Sequence, residues 1–153
     1  MDIDIKMGLW NLHDAFLNAA LMDAEKWASP IDKDPKTFHA SNHGRFERAW
    51  VTFLYVLVEA WQSPQMAPVR EYIGSVVSLD ELTSLLKTGK TDGSLARMRE
   101  TRNYMCHRDR REYWDDGRLA VCGQLDYHVR LHRAFSVVLL GAMKAAATGS
   151  HGL

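Results

Sequence analysis

From Ile5 to Trp27 apolar residues recur at three- and four-residue steps, through Met7, Trp10, Phe16, Leu17, Ala20, Leu21 and Ala24. That is the spacing of a helix face, and no strand-like alternation replaces it anywhere in the chain. The constraint is strong, because a chain without strands has to bury its apolar surface helix against helix. The next helical stretch, Arg45 to Trp61, is apolar on most sides through VTFLYVLVEAW, which places it centrally in the fold. Between the two lies SPIDKDPKTFHASNHG, about sixteen residues with two prolines and no period, against a usual connection of roughly 4–6.

SPQMAP ends the second helix, since proline blocks continuation and disfavours helix in the residue before it. VREYIGSVV reads equally as a short helix or a single strand. Ser78-Leu79-Asp80-Glu81 has the form of a capping box, with a helix from Leu79 to Lys87 and a turn at TGKTDG. Asp92 or Ser94 caps the following arginine-rich helix, and Asp115-Asp116-Gly117 is the turn after it. A last helix over Val121 to Ala147 carries the stripe Leu125, Val129, His132, Phe135, Leu139 and Met143. The expected architecture is an all-α, up-and-down bundle of four main helices plus a short additional one, a single domain over 1–153.

Nineteen basic residues balance nineteen acidic ones, so no global field draws the chain to nucleic acid, and any such binding comes from local clustering. Two cysteines, Cys106 and Cys122, are too few for a disulfide framework and suit a reducing cytosol. The start MDIDIKMGLW lacks the apolar core of a secretion signal, and no apolar run approaches the ~20 residues that cross a bilayer. The expectation is a soluble cytoplasmic protein.

Local clustering is found in one place. Arg97, Arg99, Arg102, Arg108, Arg110 and Arg111 face only Glu100 and Asp109 in the same span, a local charge of plus four. Arginine offers a planar fork that matches phosphate oxygens in pairs, which lysine does not. A solvated helix face is the plainer reading of such a run. Against it, Leu95, Met98, Arg102 and Met105 share one stripe, and an arginine on an apolar stripe needs an acid or an anionic ligand. Asn103 and His107 are four apart and face the same way, so the amide can orient the imidazole. A histidine near its ordinary pKa of ~6.5 suits proton transfer at neutral pH.

Other candidates are weaker. His128 and His132 share one side of the last helix, as metal-binding pairs do, but lie on its apolar stripe with no third ligand near. They are read as packed histidines, and a metal-dependent hydrolase using them with His107 stands as a third possibility. His39 and His43 share the spacing but fall in the proline-bounded loop. Trp10, Trp27, Trp50 and Trp61 are read as core, with Trp114, beside the arginines, left open.

R102-N103-Y104-M105-C106-H107, late in an all-helical chain of this length, resembles the motif of the HEPN family (higher eukaryote and prokaryote nucleotide-binding domains). The resemblance in architecture spans most of the chain, and the motif spans six residues. It implies a metal-independent endoribonuclease of toxin–antitoxin or phage-defence type, with Arg102 and His107 as the catalytic pair, Asn103 supporting, and no cofactor. It implies RNA as substrate, a homodimer whose two motifs face one cleft, and an antitoxin protein as a further partner. Arg99, Arg108, Arg110 and Arg111 then hold flanking phosphates. Where some family toxins carry a modifiable tyrosine two residues after the histidine, this chain has Asp109. The alternative is a non-catalytic module of the same kind that binds nucleotide or RNA, or dimerises.

Overall fold

A computed structural model describes residues 2–34, 37, 41–106 and 125–149. Six α-helices carry them: α1 (Ile3–Ala28), α2 (Asn42–Gln62), α3 (Ala67–Val76), α4 (Asp80–Thr91), α5 (Ser94–Cys106) and α6 (Leu125–Gly149). The chain is an all-α bundle, with no strand among the described residues. Two of the six are short, where one short helix was expected, because VREYIGSVV folds as helix within α3.

Local chemistry accounts for most helix ends. Asp2 caps α1 by accepting from the Asp4 N–H at 2.7 Å, and Ser41 caps α2 by accepting from Gly44 N–H at 3.1 Å. α2 therefore begins three residues before the expected Arg45, and His43 sits in its first turn rather than in the loop. The helix stops at Gln62, and Pro64–Met66 forms one 3₁₀ turn before α3. Arg70 closes this corner by donating to the Trp61 and Ser63 carbonyls.

The expected capping box at Ser78 does not form. Ser78 Oγ donates to Asp80 Oδ2 and accepts from the Asp80 N–H, so α4 starts at Asp80 and Glu81 makes no reciprocal bond. α4 also runs on through Thr91, absorbing most of the expected TGKTDG turn. The reversal is made at Gly93 alone, whose φ of 82° lies in the left-handed region that favours glycine. Asp92 then caps α5, its Oδ1 accepting from the Ser94 N–H at 2.8 Å.

α2 is the central helix, with α1 along one side and α5 along another. The core runs through Leu9, Leu12 and Phe16 of α1, Trp50, Leu54 and Leu57 of α2, Ile73, Leu82 and Met98, and Leu131, Phe135 and Leu139 of α6. Gly89 on α4 is a point of close approach, because a Cβ there would run into the Tyr127 hydroxyl and the Leu95 side chain. Tyr127 uses that hydroxyl to donate to the Leu85 carbonyl at 3.0 Å, tying the start of α6 to α4. Burial pushes the Tyr127 phenol up to about 12.

Two expectations about the core are corrected. Trp50 and Trp61 are buried, but Trp10 is 50% exposed and Trp27 61%. The stripe Met7, Trp10, Leu17, Leu21 and Ala24 is the outward face of α1, and the buried face is Leu9, Leu12, Phe16 and Ala19. On α6, Val129 is likewise exposed, and His128 and Leu131 turn inward instead. No described helix is long and apolar enough to cross a membrane.

Candidate functional site

α5 buries Leu95, Met98, Thr101 and Tyr104 against its neighbours. Arg102 follows Thr101 and so lies on the shoulder between the buried face and solvent, its side chain 24% exposed. From there it reaches the Glu59 carboxylate on α2, and its guanidinium stands 5.8 Å from the Tyr55 ring centre. The arginine on an apolar stripe thus has an acid partner, 43 residues earlier in the chain. Its Nε is buried without a hydrogen bond. An ion pair between a partly buried arginine and a carboxylate open to solvent is worth about 1 kcal/mol, so Glu59 holds the guanidinium in place without locking it away.

Arg99 is exposed one turn earlier and lines an open groove of about 220 Å³ with Tyr55, Val58, Gln62, Lys90 and Leu95. A larger groove of about 610 Å³ adjoins it through Gln62 and Lys90, bordered by Arg70, Lys87 and Trp61. Burial and the nearby Glu59 push the Tyr55 phenol up, with Arg99 and Arg102 opposing. Asn103 is exposed. The structure thus brings Arg99 and Arg102 together on one side of α5, over Tyr55. His107, Arg108, Arg110, Arg111 and Trp114 lie outside the described residues, as do Asp115, Asp116, Gly117 and Cys122. Cys106 is exposed with a free thiol.

A second polar cluster, around Trp50, is one that sequence reasoning missed. Lys26 of α1 is 1% exposed, with its Nζ 3.7 Å from the Trp50 ring centre, 4.8 Å from that of Trp27, and 2.8 Å from Asp23 Oδ1. The aromatic face and the carboxylate together offset the desolvation of the ammonium. His43 and Glu47 are both buried, with His43 Nε2 3.9 Å from Glu47 Oε2. Burial holds the Glu47 carboxyl above the usual carboxylate range, with Lys26, His43 and Arg48 opposing.

α6 delivers two histidines to the same ring. The Trp50 indole N–H donates to His132 Nδ1 at 3.0 Å, and His128 meets Trp50 edge to face. Burial pushes His128 down to about 4, helped by Lys26, and pushes His132 down as well, with Asp23 opposing. The Asp23 carboxylate stands 3.9 Å from the same Nδ1, but an ion pair would need that nitrogen protonated. The indole bond uses its lone pair, so the neutral tautomer is the one consistent with burial. Both ring nitrogens of His128 lack a hydrogen-bond partner.

His128 and His132 therefore do face one environment, but as neutral rings packed on a tryptophan. No group of three or more histidine, cysteine or carboxylate side chains able to hold a metal occurs among the described residues. The available hint was a charged pair, Glu47-Arg48, leading into the apolar run of α2 and followed two residues on by Trp50.

No protein-family model, curated protein or solved structure matches this chain.

Proposed function

We propose that the chain is a metal-independent endoribonuclease of HEPN type, acting in the cytoplasm in a toxin–antitoxin or phage-defence setting. The observation that carries the reading is Arg102 on the shoulder of α5, side by side with Arg99 and followed at once by Asn103 and, four residues further on, His107. Arg102 has one weak carboxylate partner, which a phosphate group can displace through two charge-assisted bonds. Its partners are RNA, a second copy whose motif faces the same cleft, and an antitoxin protein.

In this mechanism the ribose 2′-hydroxyl attacks the adjacent phosphorus and the 5′-oxygen leaves. The nucleophile belongs to the substrate, so the protein's task is to move protons and stabilise charge. His107 takes the hydroxyl proton or returns one to the leaving oxygen. Arg102 stabilises the added negative charge of the phosphorane-like transition state, where a pre-placed cation counts most. Asn103 orients the imidazole. Arg99, Arg108, Arg110 and Arg111 hold flanking phosphates, and the grooves past Lys90 and Lys87 offer a cationic path for the strand.

The test is cleavage of single-stranded RNA in excess EDTA by the wild type, Arg102→Ala and His107→Ala. The expected result is 2′,3′-cyclic phosphate ends from the wild type, none from either variant, and inert DNA. Activity that survives both substitutions overturns the assignment. One observation favours the non-catalytic module as the second reading: the Arg102–Glu59 pair gives Arg102 a structural partner without any ligand. RNA binding without cleavage selects it.

A further inference from the structure

The end of α2, α3 and α4 frame an open groove of about 610 Å³. Its floor is apolar, with Leu79 and Leu86 beside the buried Trp61. Its rim is cationic. Arg70 stands on α3 and Lys87 and Lys90 on α4, and Glu71 is the one carboxylate among the described residues that line it. The whole chain carries no net charge, so this is a local concentration of cations and not a sample of the average. None of the three forms an ion pair among the described residues. Thr83, Lys87 and Lys90 follow at steps of four and three, one stripe of α4 about 10 Å long.

Arg70 is the group that most needs an explanation. Its Nη1 donates to the carbonyls of Trp61 and Ser63, the latter at 2.9 Å, which anchors the guanidinium at the end of α2. The opposite edge, Nε with Nη2, makes no hydrogen bond among the described residues. That edge is the fork that takes the two oxygens of an anion side by side. A guanidinium already held by its other edge has little freedom left to lose when a ligand arrives. Lys90 lies in the last turn of α4, where the helix dipole by itself favours a cation. Arg70 is in the middle of α3 and meets no such need.

We propose that this groove docks a short acidic segment of a partner protein, its carboxylates on Arg70, Lys87 and Lys90 and an aliphatic side chain on Leu79 and Leu86. Charge complementarity sets the sign of the occupant, and the floor sets its class. Single-stranded nucleic acid is held by aromatic faces on which its bases stack. Here the tryptophan is only 6% exposed, and the floor above it is aliphatic. A strand can follow the cations past the groove, but its bases find no stacking surface in it. Glu71 decides the same way, because it repels a strand charged at every unit, whereas a peptide can set an uncharged residue beside it. The 10 Å stripe on α4 matches about three residues of extended chain, so the segment is short. Gln62 and Lys90 also line the smaller groove, which leads on to Arg99. A seated segment therefore lies across the strand path of the ribonuclease reading and blocks it. That last consequence rests on the reading, whereas the docking itself does not.

The experiment is fluorescence anisotropy of a panel of labelled short peptides, in which glutamate or aspartate alternates with leucine or isoleucine, titrated with the full chain. Members of the panel should bind saturably, and replacing their acids with glutamine and asparagine should abolish binding. Lys87→Glu with Lys90→Glu should weaken binding by roughly tenfold or more, with unchanged far-ultraviolet circular dichroism because both side chains are exposed. Thr83→Trp fills the groove from an exposed position without touching its charges, and should weaken binding by a similar factor. Arg70→Lys keeps the charge and loses the fork, and should also weaken it. Lys6→Glu with Lys144→Glu makes the same change of net charge on α1 and α6, and should leave binding within about twofold of the wild type. A panel with no binder, or binding that the remote pair weakens as much as the groove pair, overturns the proposal. So does a single-stranded RNA oligomer that loses affinity in Thr83→Trp while no peptide binds. Peptide binding without any RNA cleavage removes the ribonuclease reading and leaves the docking site standing.

Discussion

α5 and the surroundings of Trp50 use the same side-chain types to opposite ends. On α5, Arg102 pairs with Glu59 at the surface, where both groups keep water and the pair can open. Around Trp50, Lys26, Glu47, His128 and His132 are withdrawn from solvent, and the two histidines are held neutral. Charge near water stays available to a ligand. Charge removed from water is committed to its neighbours, and its loss is felt as stability. The difference in burial, more than in composition, separates a candidate binding surface from a structural polar core.

The sharpest way to break that comparison is Lys26→Ala. It removes a buried stem, the ammonium over Trp50 and the partner of Asp23, and should cost about 2–3 kcal/mol in urea denaturation. Loss of less than about 0.5 kcal/mol would mean that the buried charge is a spectator.

Acid should come next. His128 titrates near 4 in the folded chain and near its ordinary value when unfolded, so the unfolded state takes up protons first. Its contribution is complete above about pH 6.5 and is lost as pH falls toward about 4. Glu47, held above its ordinary value, works the other way: it favours the fold below the normal carboxylate pH, and that benefit fades as pH rises. The net loss between about pH 7 and 4.5 is on the order of 2 kcal/mol, read as a fall in melting temperature. His128→Leu, which also removes two unpartnered nitrogens, should flatten the profile without lowering stability at neutral pH.

On the α5 side, Glu59→Gln should change stability by less than about 1 kcal/mol while tightening RNA binding, because it frees Arg102 and removes a negative charge from the path. Weaker RNA binding in a filter or fluorescence titration would show that Glu59 positions Arg102 instead. Asn103→Ala, at an exposed position, should leave stability within about 0.5 kcal/mol and show its effect only in cleavage rate. A stability loss well beyond that would place the amide in the fold rather than in the chemistry.

The sequence made the helices legible because their period is strong and because proline and glycine mark the ends at Gln62 and Gly93. It could not say which side of α1 faces inward, since that helix is apolar on two sides and periodicity alone does not rank them. Trp10 and Trp27 were misassigned for that reason. Arg102 was recognisable as an arginine in need of a partner, but Glu59 is supplied by the packing of α5 on α2, which no local pattern encodes. The Trp50 cluster was hidden for the same reason, because Lys26, Glu47 and His132 come from three helices.

The tryptophans give the molecule an optical asymmetry. Trp10 and Trp27 are open to iodide, whereas Trp50 is closed to it and emits from beneath an ammonium with its N–H bound to an imidazole. Quencher contact therefore reads the outward face of α1, and within the blue, shielded component, which buried Trp61 shares, the Trp50 part responds to the ionisation of His132. One fluorescence spectrum can follow a surface event and an interior one separately, without a label.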